Sequence, residues 1–95
     1  MIVINVLHKC KPGMRDKFLE LLEKEGIGAA SRADEGNIKY DYYLPADGSE
    51  ELLLVEKWEN AESLAKHMKQ PHLAKLRELQ PDYVESAEFD KFEVE

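Results

Sequence analysis

The order of strand-like and helix-like patterns is the feature that most restricts how this chain can fold. Residues 2–7 are apolar or β-branched on both alternating faces, which is typical of a strand buried on two sides. The predicted elements are a strand at 2–7, a helix from 14 to about 32, strands at 38–44 and 52–58, helices from 61 and from 71, and a last strand at 83–94. This β-α-β-β-α-β order predicts the ferredoxin-like α+β fold, an antiparallel sheet with its helices on one face.

Single residues set several of the predicted boundaries. Gly26 and Gly28 weaken the long first helix and predict a bend there. Asn60 is a favourable helix N-cap, and Pro71 suits the first turn of a new helix.

The spacing of apolar residues predicts two apolar faces. The face on strand 38–44 comprises Ile38, Tyr40, Tyr42 and Leu44, and the face on the helix from 61 comprises Ala61, Leu64, Ala65 and Met68.

The strand at 52–58 presents apolar side chains to both sides of the predicted sheet. Leu52 and Leu54 share one face, while Leu53 and Val55 share the other. Helices on one side leave the second face open, and the chain has no further helices to cover it. We therefore predict a single domain over 1–95 that forms a symmetric homodimer through the sheet face.

Net charge, the opening residues and the cysteine count restrict the partners and the location that this chain can have. The net charge is −7, which disfavours binding to nucleic acid or to an anionic membrane. The opening apolar run has no basic segment before it and is too short for a signal peptide or a membrane span. Cys10 is the only cysteine, so an internal disulfide is excluded and a cytoplasmic location is predicted.

A candidate pocket follows from strand parity. Leu54, Glu56 and Trp58 share one strand face, and Tyr40 and Tyr42 share a face of the neighbouring strand. If the two faces coincide, they form an aromatic-lined pocket of the kind that binds small molecules. The alternative is that these aromatic residues are ordinary core residues that keep one polar atom hydrogen-bonded.

His67 is a candidate site residue, because it lies on the short helix after the strand that carries Glu56 and could reach back over the pocket. A His–Glu pair would orient the imidazole and raise its basicity. The alternative is a histidine that interacts with the dipole of its helix C-terminus. His72 is predicted to cap or pack the helix–helix corner, with a lesser role in substrate binding. His8 is predicted to be an exposed strand-end residue, with a contribution to the mouth of the pocket as the alternative. No metal site is predicted, because His67 and His72 need a third ligand and a proline interrupts their spacing.

The chain resembles the antibiotic biosynthesis monooxygenase family of dimeric α+β-barrel proteins. The residues that carry the resemblance are PGMRDKFLELL, SRADEGNIKYDYY, LLLVEKWENAESLAKHMKQPH and the alternating last strand. The resemblance implies a monooxygenase that needs no metal or flavin and oxidises a small phenolic or quinol-type substrate with O2. It implies His67 as base, Glu56 as the residue that orients it, and Trp58 and Tyr40 as contacts of the substrate ring.

The same family leaves other functions open. One is an isomerase of a small phosphorylated signalling sugar, with His67 and His72 as proton shuttles and Arg32 or Arg77 as phosphate ligands. Another is a dimer that binds a ligand without catalysis. Haem degradation is disfavoured, because Asn5 falls on the opposite strand face and the only tryptophan, Trp58, ends a strand.

Overall fold

A computed structural model describes residues 1–95 and has the predicted order of elements. These are β1 (Ile2–Cys10), α1 (Arg15–Lys24), α2 (Ile27–Arg32), β2 (Asn37–Tyr43), β3 (Glu51–Trp58), α3 (Ala61–Met68), α4 (Pro71–Leu79), a 3-10 turn (Gln80–Asp82) and β4 (Val84–Glu93). The four strands form one antiparallel sheet in the order β2-β3-β1-β4. The predicted ferredoxin-like α+β fold is therefore confirmed. No helix is long and apolar enough to cross a membrane.

The first helical segment is divided in two at Gly26. This residue has a φ of +69°, a left-handed conformation that glycine adopts without the steric cost of a Cβ atom. The predicted bend is thus a break between α1 and α2. Gly28 lies inside α2, where an added Cβ would approach Cε2 of Tyr42 to 3.3 Å, so its role is close packing against β2.

The predicted inner face of β2 is shorter than the sequence suggested. The pairing of β2 with β3 shifts register between Asn37 and Lys39, so the regular alternation begins only after Ile38. Ile38 is 52% exposed, and Leu44 lies beyond the end of the strand and is 50% exposed. Tyr40 and Tyr42 remain as the inward pair.

The buried face of α3 was predicted only in part, since Leu64 packs against the core cluster around Trp58 but the fully buried residues of the helix are polar. Asn60 does cap the helix, since its Oδ1 accepts a hydrogen bond of 2.8 Å from the Ser63 amide. The helix buries Ser63 and His67, however, while Met68 is 45% exposed. One reason is the turn before β2, where a Cβ on Gly36 would overlap the Ser63 side chain. Only small side chains fit at this contact, and His67 on the same face is hydrogen-bonded to Asp34, so the polar residues of the helix have their partners on the inner side.

The two faces of the sheet differ in what covers them. The helices cover the even-numbered side of β1 and β3, where the core residues Ile2, Val6, Leu52, Leu54 and Trp58 are buried. The opposite side carries Leu53 and Val55, which are half-buried, and Phe92, which is 51% exposed. No helix of this chain lies over that side, because α1 to α4 are on the other.

Candidate active site

A small cavity lies between the inner face of the sheet and the helices. Its volume is about 120 Å³. Val6, Tyr40 and Leu54 supply sheet-side walls, and Glu56 and His67 supply the polar ones. The predicted coincidence of the inner faces of β2 and β3 is therefore present. Tyr40 and Leu54, which were predicted to bind substrate, both line this cavity.

The rim of the cavity is formed by α3, α4 and β4. Met68, Arg77 and Phe89 contribute to it, and Phe89 is 70% exposed. Phe89 pairs with Val6 in the β1–β4 register, which places it on the helix side of the sheet. Arg77 donates a hydrogen bond from Nη2 to the Met68 carbonyl. This bond joins the last residue of α3 to α4.

Three of the predicted substrate-binding residues do not line this cavity. Trp58 is fully buried beneath the His67 ring, with the ring centroids 4.4 Å apart and the planes tilted by 36°. This placement does not fit the predicted contact of Trp58 with a substrate ring. Tyr42 lies behind Tyr40, which it meets edge to face at 5.9 Å. His72 lies at the helix–helix corner, behind His67.

His67 is held by a residue that the sequence did not indicate. Its Nδ1 lies 2.7 Å from Oδ2 of Asp34, which follows α2 in the loop before β2. Its Nε2 lies 3.7 Å from Oε1 of Glu56, which is too far for a hydrogen bond. The prediction that Glu56 orients His67 is thus corrected, since Asp34 does so. A carboxylate can only accept a hydrogen bond. Nδ1 of His67 therefore carries the proton and donates a hydrogen bond to Asp34.

Asp34 also binds His72, whose Nε2 lies 2.9 Å from the same Oδ2 atom. The two histidines and the carboxylate form one cluster, with side-chain exposures of 1% for His67, 8% for Asp34 and 16% for His72. The missing third ligand that argued against a metal site is therefore present. Solvent therefore reaches the cluster mainly at His72, its most exposed member.

Glu56 has its own partner. Trp58 Nε1 donates a hydrogen bond of 3.1 Å to Glu56 Oε1, which explains how a carboxylate is accommodated on the inner face of β3. Burial raises the pKa of Glu56, and the hydrogen bond from Trp58 opposes that rise. Glu56 is therefore a carboxylate whose proton affinity is increased beside the Nε2 of His67.

Burial also sets the protonation of the other polar groups. It lowers the pKa of His67, and the hydrogen bond and charge of Asp34 oppose this only in part. The predicted rise in the basicity of His67 is thus reversed, and the imidazole is neutral near pH 7. Burial raises the pKa of Tyr42 to about 12 and that of Tyr40 further still, so both phenols stay protonated.

His8 is buried, whereas the sequence favoured an exposed residue at the end of the strand. It is 4% exposed, lines the cavity, and places Nδ1 at 3.0 Å from the Leu52 carbonyl on the adjacent strand. Its ring also packs against Phe18 of α1, with the centroids 5.6 Å apart. The inner face continues up to the end of β1, because α1 covers it there.

The family model for antibiotic biosynthesis monooxygenases matches residues 1–79, which is most of the chain. A Bacillus subtilis protein described as "Putative monooxygenase YcnE" is 32% identical over 83 residues, which cover 83% of this chain and 85% of that protein. The chain belongs to the antibiotic biosynthesis monooxygenase family. The matched region includes Asp34, Glu56, His67 and His72, and ends where α4 ends.

Solved structures agree with this family fold. Rv0793 from Mycobacterium tuberculosis superposes with a TM-score of 0.87 at 23% identity, covering 99% of this chain and 94% of that one. A Bacteroides thetaiotaomicron protein of unknown function, described as a "Possible Oxidoreductase", gives a TM-score of 0.86 at 29% identity, covering 98% and 96%.

In this family member, Asn5 lies on the outer face of the sheet, since its register partner is Val55 rather than an inner residue. It is thus on the opposite side from His67. A haem group in the cavity would have no contact with Asn5, as the sequence indicated. What the cavity does offer is a neutral imidazole, a buried carboxylate, a phenol and apolar walls, a set suited to proton transfer on a small aromatic molecule.

Proposed function

We propose that this protein is a cofactor-independent monooxygenase that oxidises a small phenolic or quinol-type substrate with O2 in the cavity between sheet and helices. The observation that carries the proposal is the 2.7 Å contact between Asp34 Oδ2 and His67 Nδ1. It fixes the neutral imidazole in the tautomer whose unprotonated Nε2 lies on the cavity side, toward Glu56. A fixed, unprotonated imidazole nitrogen beside a cavity that can hold the substrate is what a general base requires.

The first step is proton transfer from the substrate hydroxyl to Nε2 of His67. The imidazolium that forms lies between two carboxylates, at 2.7 Å from Asp34 and 3.7 Å from Glu56. Their charges stabilise it more strongly in a buried site than in water. Glu56 therefore acts by its charge, while Asp34 acts by holding the ring.

The second step is oxygenation of the electron-rich anion. One electron passes from the substrate anion to O2, and the substrate radical and superoxide then combine to form a carbon–oxygen bond. His67 returns its proton to the peroxide. The carbon that bears the hydroperoxide then loses its hydrogen as a proton while the oxygen–oxygen bond breaks, which leaves a carbonyl and releases hydroxide that becomes water. Overall, SH2 and O2 give SO and H2O, so the substrate supplies all four electrons that reduce O2 and one oxygen atom leaves as water. The buried site excludes bulk water from the intermediates.

The size and lining of the cavity favour a single aromatic ring. The volume of about 120 Å³ is close to the roughly 150 Å³ of an apolar cavity that holds benzene. Leu54 and Val6 offer apolar contacts, while the polar groups are gathered at Glu56 and His67. A monocyclic quinol fits this arrangement better than a polycyclic substrate does.

One observation favours the sugar-phosphate isomerase as the second candidate. Arg77 lines the rim of the cavity and uses only Nη2 in its bond to the Met68 carbonyl, so its other N–H groups can meet an anionic group, whereas Arg32 does not line the cavity. Such an isomerase would use His67 as the proton carrier. The apolar walls at Val6 and Leu54 suit a polyhydroxylated substrate poorly, so the monooxygenase remains the first proposal.

An oxygen electrode separates the two candidates. The monooxygenase predicts O2 uptake with a panel of monocyclic quinols, and this uptake should be lost in His67→Ala. The control is Lys69→Ala, an exposed residue just beyond α3. Full uptake in folded His67→Ala would remove His67 from the base role. Absence of uptake across the panel, together with turnover of a sugar phosphate, would replace the monooxygenase by the isomerase.

We also infer that the outer face of the sheet pairs with a second copy of the chain. Leu53, Val55 and Phe92 lie on that face without cover from any helix of this chain. An apolar sheet face is stabilised by packing against another such face, and a two-fold axis lets the same residues serve both copies.

A further inference from the structure

We propose that Asp34, His67 and His72 form a site for a divalent first-row transition-metal ion such as Zn(II). The three residues come from three elements, the loop before β2, helix α3 and the first turn of α4. Their ligand atoms lie within 4.8 Å of one another. Two imidazoles and one carboxylate are a donor set that holds Zn(II) or Fe(II) in many proteins and leaves coordination positions open.

The distances in the cluster are close to those that a metal ion needs. Asp34 Oδ2 lies 2.7 Å from His67 Nδ1 and 2.9 Å from His72 Nε2. Ligand atoms at about 2.1 Å from a tetrahedral Zn(II) are about 3.4 Å apart, so the first pair must open by about 0.7 Å and the second by about 0.5 Å. Asp34 lies in a loop, which allows this shift without moving a helix.

The tautomers change when the ion replaces the two hydrogen bonds. His67 then binds the metal through Nδ1, and its remaining proton moves to Nε2. The metal-bound form therefore cannot use His67 as the base proposed above, so the metal-bound and base-competent forms are alternative states of one site. The Nε2 atom faces Oε1 of Glu56 at 3.7 Å. Metal-bound histidines commonly donate their second N–H to a carboxylate, which fixes the ring and raises its affinity for the metal. Glu56 stands where this outer carboxylate belongs.

Access and charge are also suitable. His67 is buried, but Asp34 and His72 are partly exposed, which gives the ion a path from solvent. The chain carries a net charge of −7, which raises the local concentration of cations. Magnesium and calcium ions are not expected to bind this site, because they prefer oxygen donors and two of the three donors here are nitrogens.

Titration with Co(II) and Zn(II) tests the proposal directly. Protein stripped with EDTA should bind one Co(II) per chain with visible d–d absorption bands, and Zn(II) should displace it. His72→Ala should weaken binding by more than the roughly 10- to 100-fold that outer-sphere partners contribute. Asp34→Asn should do the same. His8→Gln is the matched control, since it changes the one histidine outside the cluster and should leave the affinity unchanged.

The outcomes are distinguishable from those of the oxygenase assay, because no substrate is present. His72→Ala keeps the test valid if His67→Ala does not fold, since His72 is the more exposed of the two. Stoichiometric binding that His72→Ala and Asp34→Asn abolish supports the site. Absence of Co(II) and Zn(II) binding by the wild-type chain would overturn it, as would equal affinity in His72→Ala.

Glu56→Gln provides a second readout of the same geometry. The neutral amide of this variant is a weaker acceptor for the Nε2 proton of His67 than the carboxylate is, so the affinity for Zn(II) should fall by about tenfold. A change of this size, with the stoichiometry unchanged, would support Glu56 as the outer carboxylate. An unchanged affinity would contradict that role, and calorimetry distinguishes the two results.

Discussion

Asp34 Oδ2 and His67 Nδ1 are joined by a 2.7 Å hydrogen bond across 33 residues of sequence. The bond connects the loop after α2 to the buried face of α3. It selects the imidazole tautomer and holds the ring between Tyr40 and Trp58, whose ring centroids are 5.8 Å and 4.4 Å away. The candidate site therefore depends on Asp34 as much as on the histidine itself.

Asp34→Asn should lower kcat for quinol oxidation by about 100-fold, within the range that a general base contributes. An asparagine amide can turn its N–H toward Nδ1, which would move the proton of His67 to Nε2 and block the base. KM should change little, because Asp34 does not line the cavity. Nitrogen NMR of labelled histidine reads the tautomer directly. Glu35→Gln, at the exposed neighbour, is the control, and equal kcat values in the two variants would contradict this role for Asp34.

Gly36→Ala should destabilise the fold by about 2–4 kcal/mol, since a strained backbone and a steric clash act together. Gly36 has a φ of +81°, and an added Cβ would overlap Oγ and Cβ of Ser63. Gly48→Ala is the matched control, because Gly48 has a φ of +75° but no atom within 4 Å of an added Cβ. Urea unfolding of both variants separates the cost of the strained backbone from the cost of the steric clash. Equal losses of unfolding free energy in the two variants would show that the contact with Ser63 is unimportant.

The fold could be predicted from the sequence because it rests on short-range patterns. Alternation at 52–58 places Leu52, Leu54, Glu56 and Trp58 on one face, and the structure buries all four. Turn and cap residues act locally as well, so the cap at Asn60 and the interruption near Gly26 were predictable.

The polar part of the site was less predictable, because it depends on contacts between distant segments. Hydrophobic spacing assigned Met68 to the buried face of α3, but tertiary contacts of Gly36 and Asp34 turn Ser63 and His67 inward instead. Asp34 comes just before the turn that ends the first helical segment, and no local pattern links it to a histidine on α3. The one available signal was chemical, in that a buried histidine requires a hydrogen-bond partner.

Val55→Asp should convert the proposed dimer into a monomer. Val55 lies on the outer sheet face, so in the dimer the carboxylate would be buried against the partner without a counter-charge, which costs several kcal/mol. In the monomer the same carboxylate reaches solvent, and the fold should persist. Sedimentation velocity measures the change, with Lys17→Glu on the exposed side of α1 as control. A wild-type chain that sediments as a monomer at micromolar concentration would rule out the dimer.

The stability of the protein should fall as the pH falls below the ordinary histidine value, partly through His8. Burial lowers the pKa of His8 in the folded state, against a weaker opposing effect of its bond to Leu52. The unfolded chain then binds more protons than the folded one, so the stabilising contribution is complete above the unfolded pKa of 6.5 and is lost as the pH falls toward the folded value. His67 contributes in the same direction, and the raised pKa of Glu56 acts oppositely.

His8→Gln isolates the first of these effects. Glutamine keeps a donor for the Leu52 carbonyl but does not titrate, and the contributions of His67 and Glu56 are common to both proteins. The loss of unfolding free energy between about pH 7.5 and about pH 5.5 should therefore be smaller in the variant than in the wild type. Urea unfolding at the two pH values measures this difference. An identical loss in both proteins would mean that His8 is protonated as readily in the folded chain as in the unfolded one, and that its burial beneath α1 has no electrostatic cost.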